Sequence, residues 1–448
     1  HHQPRRQRQM CIRDRRYMDK ISVNKLVEEV KSNLPREIIV SIAQSCLNEN
    51  TDSQTTIKNF ENELYKYTLK VQKKVINCTG TLLHTNLGRA QTDINFNGGS
   101  TNIEYDILNN RRGKRNEFLN QSMNLLLGSE DVCFVNNNAS SLYITLKTLK
   151  NIYGKKSVII SRGEIIEIGG SYRLPEIIQE TDLKMVEIGT TNKTKITDYE
   201  KALKENEDSL ILKVHRSNFS INGFVEEVNL KDLKSLTESH NSILIHDLGS
   251  GLVASRKFLE KENIDIFDDE PTVQESLRQG ADLVMFSGDK LFGSLQSGII
   301  AGDKEMIQSI KESPLFRTYR CSPLTLFELQ ETTNKYVSKN EIEIPLWKMI
   351  AMNYEELENR IKSITENLKI KHEVVHDNSV MGGGTLPNKF IASPVIQISE
   401  LENTNLMSKL IHNEIPIIPR INKNNIIIDV RSTSEKNDIP IKDFFTNL

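Results

Sequence analysis

The stretch Phe286-Ser-Gly-Asp-Lys-Leu-Phe-Gly293 decides the fold, because it places a lysine directly after an apolar, strand-like run. That run is Ala281 to Phe286, and small residues lie on either side of Lys290. A second apolar run, Ser242 to Asp247, ends in an acid before Gly249-Ser-Gly251. We therefore predict two strands, one that ends in an aspartate and a later one that is followed by a lysine.

An aspartate at one strand end and a lysine at a later one are what a pyridoxal phosphate (PLP) enzyme requires. The lysine holds the aldehyde as a Schiff base, and the acid keeps the pyridine nitrogen protonated so that the ring accepts electrons. The same spacing also fits an ordinary α/β enzyme with a solvated surface lysine. The spacing alone leaves both interpretations open, since a lysine with perturbed chemistry needs burial.

Composition excludes several classes of protein. The chain has 448 residues, 37% hydrophobic and 26% charged, which is ordinary for a soluble globular protein of two or three domains. No apolar run reaches the roughly 18 residues of a membrane span, so we expect no membrane partner. The five cysteines are scattered and form no CxxC pair, so we predict no metal site, no disulfide framework and a cytoplasmic location.

The first 17 residues differ from the rest of the chain. They carry six Arg and one Asp and have no apolar segment, so we expect an extraneous leader rather than a secretory signal, with Met18 as the natural start. Without the +5 of this leader, the net charge of −2 becomes −7. An acidic body argues against wholesale nucleic-acid binding but leaves a local basic face open.

Composition and hydrophobic periodicity together divide the chain into four predicted segments. They are the leader (1–17), an N-terminal helical domain with a linker helix (18–74), a large α/β domain (75–340) and a smaller C-terminal α+β domain (341–448). In the helical domain, Pro35 separates two helical patterns, and one longer helix runs from about Thr56 to Lys74. In the last segment we predict a long amphipathic helix, Leu346 to Ile370.

Short apolar runs alternate with helical patterns between Ile76 and Tyr336. This alternation predicts an α/β fold with a mostly parallel central sheet flanked by helices, which binds ligands beyond the carboxyl ends of its strands. The predicted strands are Asp131–Val135, Ser157–Ser161, Met185–Ile188, Leu210–Val214, Ile243–Asp247, Leu283–Phe286 and Gly298–Ala301, with Pro394–Ile398 and Ile426–Val430 in the C-terminal domain.

Polar residues at the strand ends are candidates for binding an anion. The run Asn136 to Ser141 follows a strand and opens a helix, whose free N–H groups and dipole suit a phosphate, although simple N-capping explains it as well. Ser287 could add a hydroxyl. Arg317 and Arg320 are spaced for one face of a helical turn, where they are either solvated charges or, together with Arg89, a phosphate-like anion site.

These segments, taken in order, resemble those of the bacterial selenocysteine synthases, the L-seryl-tRNA(Sec) selenium transferases. The resemblance covers about residues 20 to 440. The motifs that carry it are Ile76–Gly80, His84–Ala90, Glu104–Asp106, Arg112–Arg115, Val135–Ala139, Ser161–Glu164, Glu167–Gly170, Glu187–Asn192, Lys213–His215, Ser217–Asn218, Asp247–Gly251, Glu270–Val273, Phe286–Leu291 and Met381–Gly384.

The resemblance implies a fold-type-I PLP-dependent transferase whose small N-terminal domain grips the tRNA. It implies a homo-oligomer, a ring of dimers and possibly a decamer, with active sites at the dimer interfaces. Its implied catalytic residues are Lys290, Asp289, Arg89, Arg317 and Arg320, the three arginines lining the site of the selenium donor. Its implied cofactor-binding residues are Lys290, Asp247, Asn138, Ala139 and Ser140, to which we add Ser287 and His215.

The implied activity converts L-seryl-tRNA(Sec) to L-selenocysteyl-tRNA(Sec) with selenophosphate, through a PLP aldimine and a dehydroalanyl-tRNA intermediate. The sequence departs from the family pattern in three places. It has Ser140-Ser141 after Ala139, Gly293-Ser-Leu-Gln296 in place of Gly-Gly-Pro-Gln, and Ser322-Pro323 in place of Asp-Lys. The last departure could change the geometry of the loop that, by the resemblance, lies at the site of the selenium donor.

Two other interpretations compete with the synthase. One is a related PLP lyase that acts on a free small amino acid or amino-sugar acid. The other is a catalytically silent RNA-binding module that keeps the fold. The helical segment 18–74 and the three arginines favour the synthase, and the intact Asp247, Asp289 and Lys290 argue against a silent module.

Overall fold

The structure is a computed structural model that describes residues 21–28, 30–49, 51–96, 98–169, 172–366, 368–399 and 405–448. The expected leader and Met18 lie outside the described residues. The chain divides into two compact units. Of the described residues, one unit contains those up to Val75 together with Ile411–Pro416, and the other contains those within Ile76–Leu410 and Ile417–Leu448. Among the described residues, no helix is long and apolar enough to cross a membrane.

The described part of the first unit contains three helices: α1 (Val23–Glu28), α2 (Arg36–Asn48) and α3 (Ser53–Lys70). They bury one shared apolar cluster, which includes Leu26, Ile42 and Phe60. Helix α3 begins three residues before the predicted start, because the Asp52 carboxylate accepts the N–H groups of Gln54 and Thr55 and caps it.

The second unit contains the remaining helices and all the strands of the described residues. Its helices are α4 (Glu117–Leu127), α5 (Asn138–Tyr153), α6 (Leu174–Glu180), α7 (Ile196–Glu205), α8 (Leu230–Ser239), α9 (Arg256–Lys261), α10 (Val273–Arg278), α11 (Lys304–Glu312), α12 (Phe316–Tyr319), α13 (Pro323–Val337), α14 (Pro345–Ala351), α15 (Tyr354–Thr365), α16 (Leu406–Ile411) and α17 (Asp438–Thr446). Its strands are β1 (Ile76–Cys78), β2 (Tyr105–Asp106), β3 (Arg111–Arg112), β4 (Asp131–Val135), β5 (Ser157–Ser161), β6 (Glu167–Ile168), β7 (Tyr172–Arg173), β8 (Lys184–Ile188), β9 (Ser209–Val214), β10 (Ile243–Gly249), β11 (Leu283–Ser287), β12 (Gly298–Gly302), β13 (Glu373–Gly382), β14 (Thr385–Ser399), β15 (Ile417–Asn422) and β16 (Asn425–Ile428).

The central sheet has seven strands in the order β4-β12-β11-β10-β9-β5-β8. Strand β12 is antiparallel to both of its neighbours, and the other pairings are parallel. The predicted α/β fold is therefore confirmed. Along β11, Val284 and Phe286 pack into one apolar cluster while Leu283 and Met285 pack into another. Burial on both faces explains why this strand reads as a continuous apolar run.

A second sheet holds five strands in the order β1-β15-β16-β14-β13. Strand β1, the first element of this unit, pairs in parallel with β15 near the other end of the chain. The predicted long helix Leu346 to Ile370 is wrong, because the chain forms two helices, α14 and α15. Asn353 starts the second one through a capping box with Glu356, a signal that the hydrophobic periodicity does not report.

Gly80 follows β1 and offers a test of how that strand is held in the second sheet. Its φ is +74°, and a Cβ there would lie 2.2 Å from Arg420 Nη1 and 2.3 Å from Asp429 Oδ2. Because the backbone strain adds to a clash with an ion pair whose carboxylate is fully buried, Gly80→Ala should lower the free energy of unfolding by about 2–4 kcal/mol.

The matched control is Gly128→Ala, since Gly128 has a φ of +69° but no atom near its missing Cβ. Strain alone should cost about 1 kcal/mol there. Urea unfolding followed by circular dichroism compares the two variants, and equal losses of stability would contradict the proposed clash.

Candidate functional site

A cavity of about 1030 Å³ lies beyond the carboxyl ends of β9, β10 and β11. Nine of the eleven site residues predicted from the sequence line it: Arg89, Asn138, Ala139, Ser140, His215, Asp247, Ser287, Asp289 and Lys290. Other lining residues include Thr85, Asn137, Tyr143, Asn218, Gln296 and Tyr319. Parallel strands end at one edge of a sheet, so residues that are far apart in sequence meet here.

Lys290 lies in the loop that follows β11, and only 8% of its surface is exposed. The loop is held in shape by Gly293 and Leu291, whose N–H groups donate to Lys290 O at 2.9 Å and to Ser250 O at 3.0 Å. Burial lowers the pKa of the Lys290 amine, and the positive charge of Arg89 lowers it further. More of the amine is therefore unprotonated and nucleophilic near neutral pH than in a solvated lysine.

Asp247 lies in β10 and is buried. Its Oδ1 accepts a hydrogen bond from Asn138 Nδ2 at 2.8 Å, which fixes the direction of the carboxyl group. Burial raises the pKa of this carboxyl, while the Asn138 hydrogen bond and the positive charge of Lys290 oppose that shift. A carboxyl in this setting suits a partner that carries a proton or a positive charge.

Helix α5 begins at the cavity, as the asparagine run predicts. Asn137 caps it, with its Oδ1 accepting the Ser140 N–H at 2.9 Å. The first turn sits close against β12 because Gly298 has no side chain, and a Cβ there would lie 2.2 Å from Asn137 O. Asn138, Ala139 and Ser140 thus bring a helix N-terminus to the cavity wall, where its dipole favours an anion.

Asp289 and Arg89 form an ion pair at the cavity, with 3.1 Å between Arg89 Nη1 and Asp289 Oδ2. Burial raises the pKa of the Asp289 carboxyl, and Arg89 opposes that shift. Arg89 itself has a φ of +62°, and the next N–H, of Ala90, donates to Asp289 O at 3.1 Å. These contacts attach the loop after β1 to the loop that carries Lys290.

Arg317 and Arg320 are not among the residues that line this cavity. The predicted shared helical turn is wrong, because α12 ends at Tyr319 and Arg320 forms a β-bridge with Val135. Arg317 is exposed, and Arg320 Nη1 lies 3.5 Å from Glu104 Oε1. Tyr319, between them in the sequence, does line the cavity.

The substituted segment Ser322-Pro323 opens helix α13. Ser322 is the N-cap, with its Oγ accepting the Thr325 N–H at 3.1 Å, and Pro323 occupies the first helical position. Both residues are favoured there, so this departure from the family pattern gives a well-formed helix start.

Glu270 is a buried carboxylate that the sequence argument did not select. Its Oε2 lies 3.0 Å from Nε2 of His215, which lines the cavity. The signal was present in the stretch Glu270-Pro-Thr-Val273, but nothing in the sequence connects that stretch to His215, 55 positions earlier.

The residues at the cavity fit PLP. A buried amine, a buried carboxyl with a fixed direction, and a helix N-terminus beside Ser140 and Ser287 match its aldehyde, ring nitrogen and phosphate. Asn138 Oδ1 adds a buried acceptor that has no hydrogen-bond partner among the described residues. An orphaned buried polar atom at a cavity is expected where a ligand completes the hydrogen bonding.

Comparisons with known proteins agree on one family. A sequence model of the L-seryl-tRNA selenium transferases matches residues 75–434. The L-seryl-tRNA(Sec) selenium transferase of Aliarcobacter butzleri is 37% identical over 446 residues, 94% of this chain and 96% of the relative. That of Aquifex aeolicus is 36% identical over 432 residues, 92% of this chain and 94% of the relative.

A comparison with solved structures shows the same fold in another protein. The D-glucosaminate-6-phosphate ammonia-lyase superposes with a TM-score of 0.57 at 16% sequence identity, covering 85% of this chain and 96% of the lyase. At this identity the likeness concerns the fold alone.

Replacing Arg89 tests the electrostatics around the lysine. In Arg89→Gln, one positive charge is removed and Asp289 is released, and both changes raise the pKa of the Lys290 amine. Reaction of the cofactor-free protein with added PLP should slow at neutral pH by about tenfold for each unit of pKa. The difference should vanish once the pH exceeds the pKa of the lysine in both proteins.

The rate is measured as the growth of the yellow absorption across pH. Arg89→Lys keeps the positive charge and serves as the control. If Arg89→Gln and wild type react equally fast at every pH, Arg89 does not tune this amine.

Proposed function

Since the chain belongs to the L-seryl-tRNA selenium transferase family, we propose that its cavity converts L-seryl-tRNA(Sec) to L-selenocysteyl-tRNA(Sec) with selenophosphate as the selenium donor. The chain is a PLP-dependent enzyme. The observation that carries the proposal is the convergence of Lys290, Asp247 and the N-terminus of α5 at one cavity. A lyase that acts on a free amino-sugar acid is not favoured, because the curated relatives are selenium transferases over nearly the whole chain.

The chain supplies one group for each part of the cofactor. Lys290 would hold the aldehyde, Asp247 the ring nitrogen, and the first turn of α5 with Ser140 and Ser287 the phosphate. When bound, PLP supplies an electron sink for the bonds at Cα of the seryl group. Because its pKa is lowered, the Lys290 amine is suited to accept the Cα proton. Asp289 pairs with Arg89 and directly precedes Lys290 in the sequence. Its carboxylate can therefore compensate the positive charge that the lysine amine gains.

The selenium donor is an anion and needs a positive site. We propose that Arg89 binds it, since Arg89 lines the cavity with its guanidinium beside Asp289. Arg317 and Arg320 are proposed as further donor-site residues on either side of Tyr319, which lines the same cavity. Glu104 holds Arg320 and Arg115, at 3.5 Å and 2.8 Å, and so limits the positions that Arg320 can take.

We propose that the helical unit within residues 18–74 binds the tRNA, while residues 75–340 hold the cofactor and 341–448 form the small domain. The support is a basic, exposed end of the linker helix: Lys70, Lys73 and Lys74 lie at or just beyond the end of α3. Lysines in such a cluster bind phosphates without reading the sequence.

We further propose a homo-oligomer, a ring of dimers as the resemblance implies, and a cytoplasmic location, where charged tRNA is used. The short hairpin β2–β3 presents apolar side chains to solvent, with Leu108 95% exposed and Ile107 also exposed. Exposed apolar side chains of this kind often mark an interface.

The decisive experiment is turnover of seryl-tRNA(Sec) with selenophosphate, measured beside the absorbance spectrum. Wild type should be yellow and form selenocysteyl-tRNA, and Lys290→Ala should lose both the yellow absorption and turnover, because no other described lysine lines the cavity. Lys155→Ala is the matched control, since Lys155 is buried elsewhere and donates to Asn241 O. A yellow Lys290→Ala protein would contradict the lysine assignment, and wild-type turnover of free serine but not of seryl-tRNA would favour the lyase.

Replacing Lys70, Lys73 and Lys74 together by Ala tests the tRNA-binding unit. KM for seryl-tRNA should rise about tenfold, the salt dependence of KM should weaken, and kcat should be unchanged, because the lost phosphate contacts take no part in the chemical step. The control replaces the exposed Lys195, Lys201 and Lys204, at or within helix α7, by Ala. Equal effects of the two triple variants would argue against a specific role for the helical unit.

A further inference from the structure

His215 forms the wall of the cavity next to Asp247. It directly follows β9, and its N–H donates to Asp247 O at 2.9 Å, so the backbones of the two residues are tied together. Its ring is half-buried, and Nε2 lies 3.0 Å from Glu270 Oε2. Because Glu270 uses Nε2, Nδ1 is the ring nitrogen that remains for a group bound in the cavity.

Glu270 is placed with little freedom. Its N–H donates to Phe267 O at 3.0 Å, and its carbonyl oxygen accepts Arg256 Nη2 at 2.6 Å. Arg256 also donates to Phe267 O and pairs with Glu275, which forms the capping box of α10 with Thr272. Hydrogen bonds at both the N–H and the carbonyl oxygen of Glu270 therefore hold the backbone that carries its side chain.

Burial of the Glu270 carboxylate is energetically unfavourable. Glu270 is 5% exposed, and its Oε1 is buried with no hydrogen-bond partner in the part of the chain that the structure describes. A buried carboxylate oxygen without a hydrogen-bond partner destabilises the folded protein. A neutral side chain would form the one hydrogen bond with His215 at lower cost, so stability alone does not account for a carboxylate here.

We propose that Glu270 is a positioning residue that keeps the proton of His215 on Nε2 and presents Nδ1 to the cavity. A carboxylate only accepts hydrogen bonds, so the ring nitrogen that faces it must donate. This arrangement sets the tautomer and the ring direction together, as in other carboxylate–histidine pairs. The inference rests on the proposed function, in which His215 contacts the cofactor or the seryl group.

The direct test reads the two ring nitrogens of His215 in protein labelled with ¹⁵N-histidine, without cofactor or substrate. The His215→Gln variant identifies its signals by their loss. In wild type, Nε2 should carry the proton and Nδ1 should not. Glu270→Gln, whose amide can donate as well as accept, should show a second set of His215 signals with the proton on Nδ1. Wild-type His215 with its proton on Nδ1, or an unchanged spectrum in Glu270→Gln, would overturn the proposal.

The matched control is Asp269→Asn, which removes the neighbouring negative charge from a side chain that is 89% exposed and pairs with Lys389. It should leave the His215 signals as in wild type; the same change as in Glu270→Gln would overturn the proposal, because any nearby charge would then suffice. In the turnover assay, Glu270→Gln should lower kcat by about 10²-fold with KM for seryl-tRNA unchanged. A protein that shows the expected tautomers but does not use seryl-tRNA would refute the proposed function and leave the positioning role standing.

Discussion

The larger unit is organised around a buried lysine amine that interacts with nearby carboxyl groups and one guanidinium group. Lys290 interacts electrostatically with Asp247, Asp289 and Arg89, and burial shifts the pKa of each acid upward and that of the amine downward. Because burial removes the water that would otherwise stabilise these charges, each of them needs a fixed partner. The strands, the helix N-terminus and the loop after β1 supply those partners.

The sheet provides this arrangement through backbone geometry. Strands β10 and β11 end at one edge, so their last residues and the loop that follows converge there. The close approach of the segments around this edge requires glycine, which has no side chain. A Cβ on Gly251 would lie 2.8 Å from the Phe286 ring, and one on Gly288 would lie 2.2 Å from Ser297 Oγ. The small residues around Lys290 are thus needed for packing, in addition to any role in binding.

Arg89 reaches the cavity from the loop that follows β1, near the start of the larger unit. The strand before it, β1, pairs with β15, and the Gly80 N–H donates to Ser432 Oγ at 2.8 Å. Nearby, the fully buried Asp429 accepts hydrogen bonds from Ser379, Ser393 and Arg420. This polar network anchors the start of the unit to its C-terminal sheet, so the position of the cavity arginine depends on residues more than 300 positions away.

The sequence by itself determined the elements with strong local signals. Continuous apolar runs predicted the seven strands of the central sheet, and the order of the motifs predicted the family. The sequence also selected Lys290, Asp247 and the first turn of α5 as candidate site residues, and the structure brings them together at one cavity. Periodicity missed the break at Asn353, because a cap acts through one side chain rather than through a repeating pattern. Only the tertiary structure paired His215 with Glu270, joined β1 to β15 and placed Arg320 beside Glu104, since each contact joins segments that are far apart in sequence. A local sequence pattern shows which face of a helix or strand is buried. Which segment packs against that face depends on the tertiary fold, because the two segments are far apart in the sequence.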